Sequence, residues 1–420
     1  MSEPPDLRSR LIDRLPVHYS WVVLAAGTVG GWMTIPGQTP GVSVFLDFMI
    51  DDLGMARSTI SATYTAGTLV GSFSLPFIGR AIDRFGPRRA VVPIVALFAL
   101  ACVFMGFVGS LLTLFVGFAF IRALGQGALS LVSLHTINLW FVRRRGIAIG
   151  LFGTGMALAT SVMPLVIESL IGAFGWRTAY AILGIGVAAI MLPVGGGLFR
   201  FAPERYGQVP DGKKFEGARS VADTERNLTL GEARRTITFW LFATGAFLTS
   251  MLGTGLVFHH FSVMEQNGLG RAVAATMFVS LGIAQALSNL TTGWLLDRVA
   301  PRFLLSVGQG AMAAAMILAT SVTDDTVLVY GLVFGIMQGT SGAINATVYP
   351  HYFGRANQGA IKGMVSTIGV AGSAIGPLLL AVSFDVSGSY RPVLLVSALA
   401  PAAIALIAPW LRLVTPTGVR

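Results

Sequence analysis

The chain of 420 residues is poor in charge: Asp, Glu, Lys and Arg together make up 11% of it, against the roughly 25% usual for a soluble globular protein. That shortage excludes an ordinary water-soluble enzyme. Cysteine is nearly missing as well. The single Cys102 lies inside an apolar run, which rules out an internal disulfide framework, a multi-thiolate metal site and thiol redox chemistry. Five dispersed histidines give no zinc-binding spacing. There is no Walker loop, and Gly153-Thr154-Gly155 fails as a dinucleotide fingerprint because Leu158 stands at the third glycine. ATP-driven work, enzyme chemistry, a resident cofactor and a bound metal are therefore not expected from this chain.

Apolar residues are abundant, at 54%, and the mean hydropathy is +0.73. Twelve apolar stretches, near 19–46, 57–79, 90–109, 111–139, 146–170, 177–199, 237–261, 272–295, 303–321, 326–349, 360–384 and 391–413, reach the about 20 residues that a transmembrane helix needs. The predicted class is an all-α integral membrane protein with twelve transmembrane helices. The run after the polar residues 1–17 is too long for a signal-peptide core, so the first helix is read as retained. An even count puts both termini on one face. If that face is cytoplasmic, 24 of the 29 Lys and Arg lie there, leaving Arg57, Arg177, Arg271 and Arg391 outside and Arg122 within the membrane. The formal charge of +10 is then explained by the positive-inside bias, and no nucleic-acid partner is needed.

Residues 200–236 carry eight basic and six acidic side chains among scattered Gly and Pro, the composition of a hydrated linker. They divide the helices into an N-terminal six-helix bundle at 1–199 and a C-terminal one at 237–420. The halves repeat at an offset of 212 to 214 residues. Gly79-Arg80-Ala81-Ile82-Asp83-Arg84 answers to Gly293-Trp294-Leu295-Leu296-Asp297-Arg298, Phe141 to Phe353, Pro164 to Pro377, and Trp176-Arg177 to Tyr390-Arg391. Duplicated bundles of this kind are an architecture of secondary transporters.

Gly79-x-x-x-Asp83-Arg84-x-Gly86-Pro87-Arg88-Arg89 resembles the signature loop between helices 2 and 3 of the major facilitator superfamily, and Arg122-x-x-Gly125-Gln126-Gly127-Ala128 resembles its helix 4 motif. Within that superfamily, Trp140-Phe141-x-x-Arg144-Arg145-Gly146, Pro203-Glu204-Arg205-Tyr206-Gly207 and Tyr352-Phe353-Gly354-Arg355 are similar to the bacterial monocarboxylate and oxalate/formate-type branch. The resemblance implies a small-molecule cargo and proton coupling through the helix 4 arginine. It also implies a basic residue midway in helix 8 and often another in helix 11. Here the sequence departs: helix 8 offers Gln285, Ser288 and Asn289, and helix 11 offers Ser366, Thr367 and Ser373 after Lys362 at its cytoplasmic start.

The residues support a site reading of their own. Arg122 is the one charge far from both ends of its helix, and at 100° per residue Gln126 and Ser133 share its face. Either this stripe lines a wet cavity, or Arg122 is structural and bonds helix-end carbonyls. The acids Asp47, Glu168 and Asp385 sit at outer helix ends, so the charges favour an anionic cargo. Neutral candidates for its site are Gln38, Tyr64, Thr68, Gln285, Asn289, Gln338 and Asn345, although polar stripes on helices also serve interhelical hydrogen bonding. Gly30, Gly31, Gly37 and Gly41 with Pro36 and Pro40 predict a bent or unwound first helix that gates or merely packs closely. His259 and His260, near the outer end of helix 7, relay protons or are simply solvated. Gly79, Asp83, Arg84, Gly86 and Arg88, with Asp297 and Arg298 in the second copy, form a candidate conformational latch; for the arginines the alternative is that they only set topology.

The expected function is a secondary active transporter in the cell inner membrane, a monomer moving a small organic anion, most simply a monocarboxylate, by proton-coupled symport. A proton-driven efflux antiporter for neutral or amphipathic compounds and a transporter-like sensor or assembly factor are the alternatives.

Overall fold

The computed structural model describes residues 18–141, 144–206, 208, 228–296, 298–354, 358–411 and 413, and among them every regular element is helical. The described residues of 1–53 and 66–217 form one compact unit, and those of 54–65 and 218–420 form a second.

The first unit contains α1 (Tyr19–Trp32), a 3-10 turn (Ile35–Gly37), α2 (Thr39–Leu53), the second half of α3 (Arg57–Phe73), α4 (Leu75–Phe85), α5 (Pro87–Met105), α6 (Leu111–Ile121), a π-helical stretch (Arg122–Leu129), α7 (Ser130–Trp140), α8 (Arg145–Phe174) and α9 (Trp176–Leu198). Local sequence sets these boundaries. Ser110 and Thr113 close a capping box at the start of α6, and Gly86 and Gly175, at φ +78° and +76°, make the sharp reversals before α5 and α9. The predicted break in the first span is present. Pro36 and Pro40 have no N–H for the helical ladder, so the chain switches to shorter bonds, Thr34 N–H to Gly31 O at 3.1 Å and Gly37 N–H to Thr34 O at 2.9 Å.

The second unit contains the start of α3, α10 (Leu230–Ala233), α11 (Ile237–Phe258), α12 (His260–Gln266), α13 (Arg271–Leu295), α14 (Pro301–Leu318), α15 (Val327–Phe353), α16 (Gln358–Ser387) and α17 (Arg391–Ile407). Residues 54–65 join it through the Ser58 N–H, which donates to the Asp385 carboxylate at 3.0 Å, and the Thr65 hydroxyl, which donates to Ala374 O at 2.6 Å. The helices α13 and α15 pack with backbones almost touching. Gly331, Gly335 and Gly339 recur every fourth residue on α15, and a Cβ at any of them would collide with Met277 O, Leu281 O or Gln285 O of α13. Where lipid replaces water, close approach through small residues is a main source of helix association.

Ten of the described helices are long and apolar enough to cross a membrane. The first two apolar runs of the sequence fall outside that count because each is divided, one between Trp32 and Thr39 and the other between Phe73 and Leu75.

Candidate functional site

Arg122 begins the π-helical stretch. A π turn carries about one extra residue, so the 100° spacing predicted from sequence does not hold there. Gln126 is accordingly exposed, whereas Arg122 is 4% exposed and Ser133 fully buried. The Arg122 side chain reaches the broken first span: its Nε donates to Thr68 Oγ1 at 3.0 Å and a terminal nitrogen donates to Gly37 O at 3.2 Å. Thr68 is 6% exposed. Gln38 turns to its own neighbourhood, donating to Thr34 Oγ1 at 2.6 Å. Of the predicted polar stripe, then, Arg122 bonds both Thr68 and the Gly37 carbonyl, Gln126 is exposed, and Gln38 completes the turn. Gly37 sits against Ile121 O and the Gly125 backbone, so its missing side chain is a packing requirement.

Tyr64 belongs to the second unit, fully buried with its ring 4.4 Å from that of Phe258. In the same unit Gln285, Asn289 and Gln338 are half-buried. The first two lie on the glycine seam of α13 and α15, and the Asn289 amide is close to Gly342. Ser341 makes an interhelical hydrogen bond with Thr249 at 3.3 Å, and Gln309 of α14 donates to Thr249 Oγ1 at 3.0 Å.

Asn345 occupies a different setting. It lines a cleft of about 210 Å³ together with Ser250, Tyr349, Lys362, Ser366 and Gly369. The Lys362 ammonium donates to Ala346 O at 3.2 Å, an arrangement that leaves its other N–H bonds for the cleft. The Tyr349 hydroxyl is buried without a hydrogen-bond partner. Sequence reading identified Lys362 only as a helix-start residue and did not consider Tyr349. The usable signal is spacing: Lys362 and Ser366 stand one turn apart on α16, and Asn345 and Tyr349 one turn apart on α15.

His259 and His260 correct one expectation. Both are 0% exposed, so neither is a solvated surface histidine. The helix breaks at His259, between α11 and α12, and the break turns both rings inward. His259 Nε2 bonds Pro377 O at 2.8 Å while Tyr390 OH lies 3.4 Å from its Nδ1. His260 Nε2 bonds Ala274 O at 2.8 Å, and its Nδ1 is buried without a partner.

The described latch residues make local contacts. Gly79 lies in α4 with open space on one side, Arg84 is exposed with its guanidinium 5.3 Å from the Phe85 ring, and Arg88 Nε donates to Gly196 O at 2.7 Å. Arg298 donates to Trp294 O at 2.9 Å and lies 4.0 Å from its ring. Asp297 and the greater part of the predicted linker, residues 209–227, fall outside the described residues, as does the side chain of Asp83.

This arrangement can be set beside known proteins. The chain is 26% identical to monocarboxylate transporter 11 of Mus musculus, over 90% of this chain and 84% of that protein. It is 27% identical to the oxalate:formate antiporter of Oxalobacter formigenes, over 58% of this chain and 54% of that one. A crystal structure of a bacterial homolog of the human lysosomal transporter Spinster superposes with a TM-score of 0.69 at 17% identity, covering 93% of this chain and 95% of the other, which establishes a shared fold. These similarities are to transporters rather than enzymes. The family model of the Major Facilitator Superfamily matches residues 21–270 and 260–420, and the chain belongs to that superfamily.

Proposed function

We propose that the protein is a secondary active transporter for a small organic anion, bound in the cleft between α11, α15 and α16. The observation that carries this reading is that Lys362, Asn345 and Tyr349 line one cleft, with the Tyr349 hydroxyl buried and unpartnered among the described residues. A buried hydroxyl without a partner is costly, and a carboxylate oxygen is an acceptor it lacks. A charge-assisted bond from Lys362 supplies the remaining specificity. Size supports the same reading: about 210 Å³ lies below the about 300–1,000 Å³ of sites for drug-sized ligands. Carriers of monocarboxylates, oxalate and formate among the relatives agree with it.

In this reading the cargo anchor is Lys362 rather than Arg122. Arg122 instead holds the first broken span to α3, so that the span moves as a unit during alternating access. Twelve spans in two six-helix bundles, cytoplasmic termini, a monomer in the inner membrane and proton-coupled symport complete the proposal. His260, with a buried ring nitrogen that has no partner, is the candidate proton carrier.

The test is thermal stabilisation of the purified protein by oxalate, formate and lactate, since a ligand that binds the folded state raises its melting temperature. Stabilisation by one of these anions in the wild type and its loss in Lys362→Gln are expected. Stabilisation that survives Lys362→Gln, or stabilisation only by apolar amphipathic compounds, refutes the anion site. Uptake into vesicles of the stabilising anion should collapse on adding a protonophore and persist without sodium.

A further inference from the structure

The motif Pro203-Glu204-Arg205-Tyr206 contributes to neither the cargo cleft nor the internal repeat. In the structure it follows α9 directly and forms a 3-10 turn, closed by Arg205 N–H to Ala202 O and by Gln208 N–H to Pro203 O, each 3.1 Å. The segment folds back on its own unit. The Phe201 ring rests on Gly86, the glycine of the signature turn between α4 and α5, and a Cβ at residue 86 would overlap Cε1, Cζ and Cδ1 of that ring. Gly86 is buried and adopts φ +78° and ψ 158°, a region essentially reserved for glycine. The signature turn thus presents a flat backbone surface, and an aromatic ring covers it.

Five further contacts tie the same patch together. Arg205 lies 4.4 Å from the Phe201 ring centroid. The Tyr206 and Trp140 rings are near parallel with centroids 6.4 Å apart, and Trp140 packs on Tyr19 at 5.1 Å. The Tyr19 hydroxyl donates to Leu198 O at 2.8 Å, and Arg88, two residues beyond Gly86, donates to Gly196 O at 2.7 Å. The ends of α1, α5 and α7 thus meet at the end of α9 and the segment that follows it.

We infer that residues 199–206 are a clasp for the signature turn, with Phe201 as its positioning residue. The motif is therefore the part of the linker that holds the Gly86 turn against α9, and any movement of the signature turn carries the start of the linker with it. Arg205 covers the Phe201 ring, and Tyr206 anchors the end of the segment on Trp140. This inference concerns the seat of the turn and does not depend on which cargo is carried.

Cysteine labelling tests it without a transport assay. Ala90 is one helical turn beyond Gly86 and 8% exposed, and Cys102, the native cysteine of the same helix, is fully buried. The reporter is Ala90→Cys in a Cys102→Ser background, labelled with a maleimide in the purified protein. The control is the native Cys102. Phe201→Ala is expected to raise labelling at Ala90→Cys by about fivefold or more, as local opening does, and to leave Cys102 protected. Phe201→Tyr, which keeps the ring, should restore the slow rate. Unchanged labelling at Ala90→Cys overturns the clasp. So does a parallel rise at Cys102, which would mean general loosening of the helix. Phe201→Leu keeps apolar bulk without the ring and is expected to give an intermediate rate, so the test remains decisive if the alanine variant does not fold.

Discussion

Arg122 donates a hydrogen bond at 3.2 Å to the carbonyl of Gly37, and that carbonyl belongs to the turn that interrupts the first apolar run. A second bond, from Nε to Thr68 Oγ1 at 3.0 Å, fixes the plane of the guanidinium. An ammonium has neither this geometry nor this reach in two directions. Arg122→Lys is therefore expected to lower the melting temperature, and the loss from combining it with Thr68→Val should be smaller than the sum of the two single losses, because both remove the same bond. Strict additivity in the melting curves would show that the two side chains are independent.

Tyr349 separates binding from stability. Its hydroxyl has no partner among the described residues, so Tyr349→Phe removes no hydrogen bond seen there, and the melting temperature without ligand should be unchanged or higher. If the hydroxyl serves the anion, the concentration of oxalate, formate or lactate giving half-maximal stabilisation should rise by about tenfold, as the loss of roughly 1.4 kcal/mol does. An unaltered concentration dependence would remove Tyr349 from the site.

The glycine seam makes a positional prediction. Gly335→Leu drives a side chain into Leu281 O and the Gln285 backbone, while Gly186 has open space where a Cβ would stand. Gly335→Leu should abolish monodisperse expression, and Gly186→Leu should leave it intact. Equal yields of the two variants would contradict the packing of α13 on α15.

One end of the first unit is tied by Arg177, which pairs with Asp52 at 2.6 Å and also donates to Gly106 O at 3.1 Å and Val108 O at 2.5 Å. The pair is exposed, at 38% and 44% for the two side chains, and exposed pairs contribute little and are screened by salt. Asp52→Asn should thus produce a small change that vanishes in high salt. Arg177→Ala should produce a larger one that persists, because the carbonyls after α5 lose their donor. Melting curves at low and high salt distinguish the two.

Much of this protein is legible in one dimension. The apolar runs and the shortage of charge identify an all-helical membrane protein, because burial in hydrocarbon is a requirement on each segment separately. The prolines at 36 and 40 likewise announce the break in the first span, since a missing N–H acts on the local ladder. Arg122 was recognisable as a residue needing a partner. Its partners were not, since they lie 54 and 85 residues away. The face assigned to Gln126 failed for a related reason: a uniform 100° step cannot foresee a π turn.

By itself, then, the sequence determined the class of the protein, its internal repeat and its superfamily, all of which follow from composition, period and local motifs. Tertiary structure alone decided what each polar residue does. Lys362 stands at a helix start in the sequence, yet it shares a cleft with Asn345 and Tyr349 because α15 and α16 pack together there. The histidines at 259 and 260 sit near a helix end, yet the break between α11 and α12 buries both rings. Hydrogen-bond partners and burial are properties of pairs of segments, and the pairing of helices is fixed by side-chain fit across their surfaces rather than by the composition of either one.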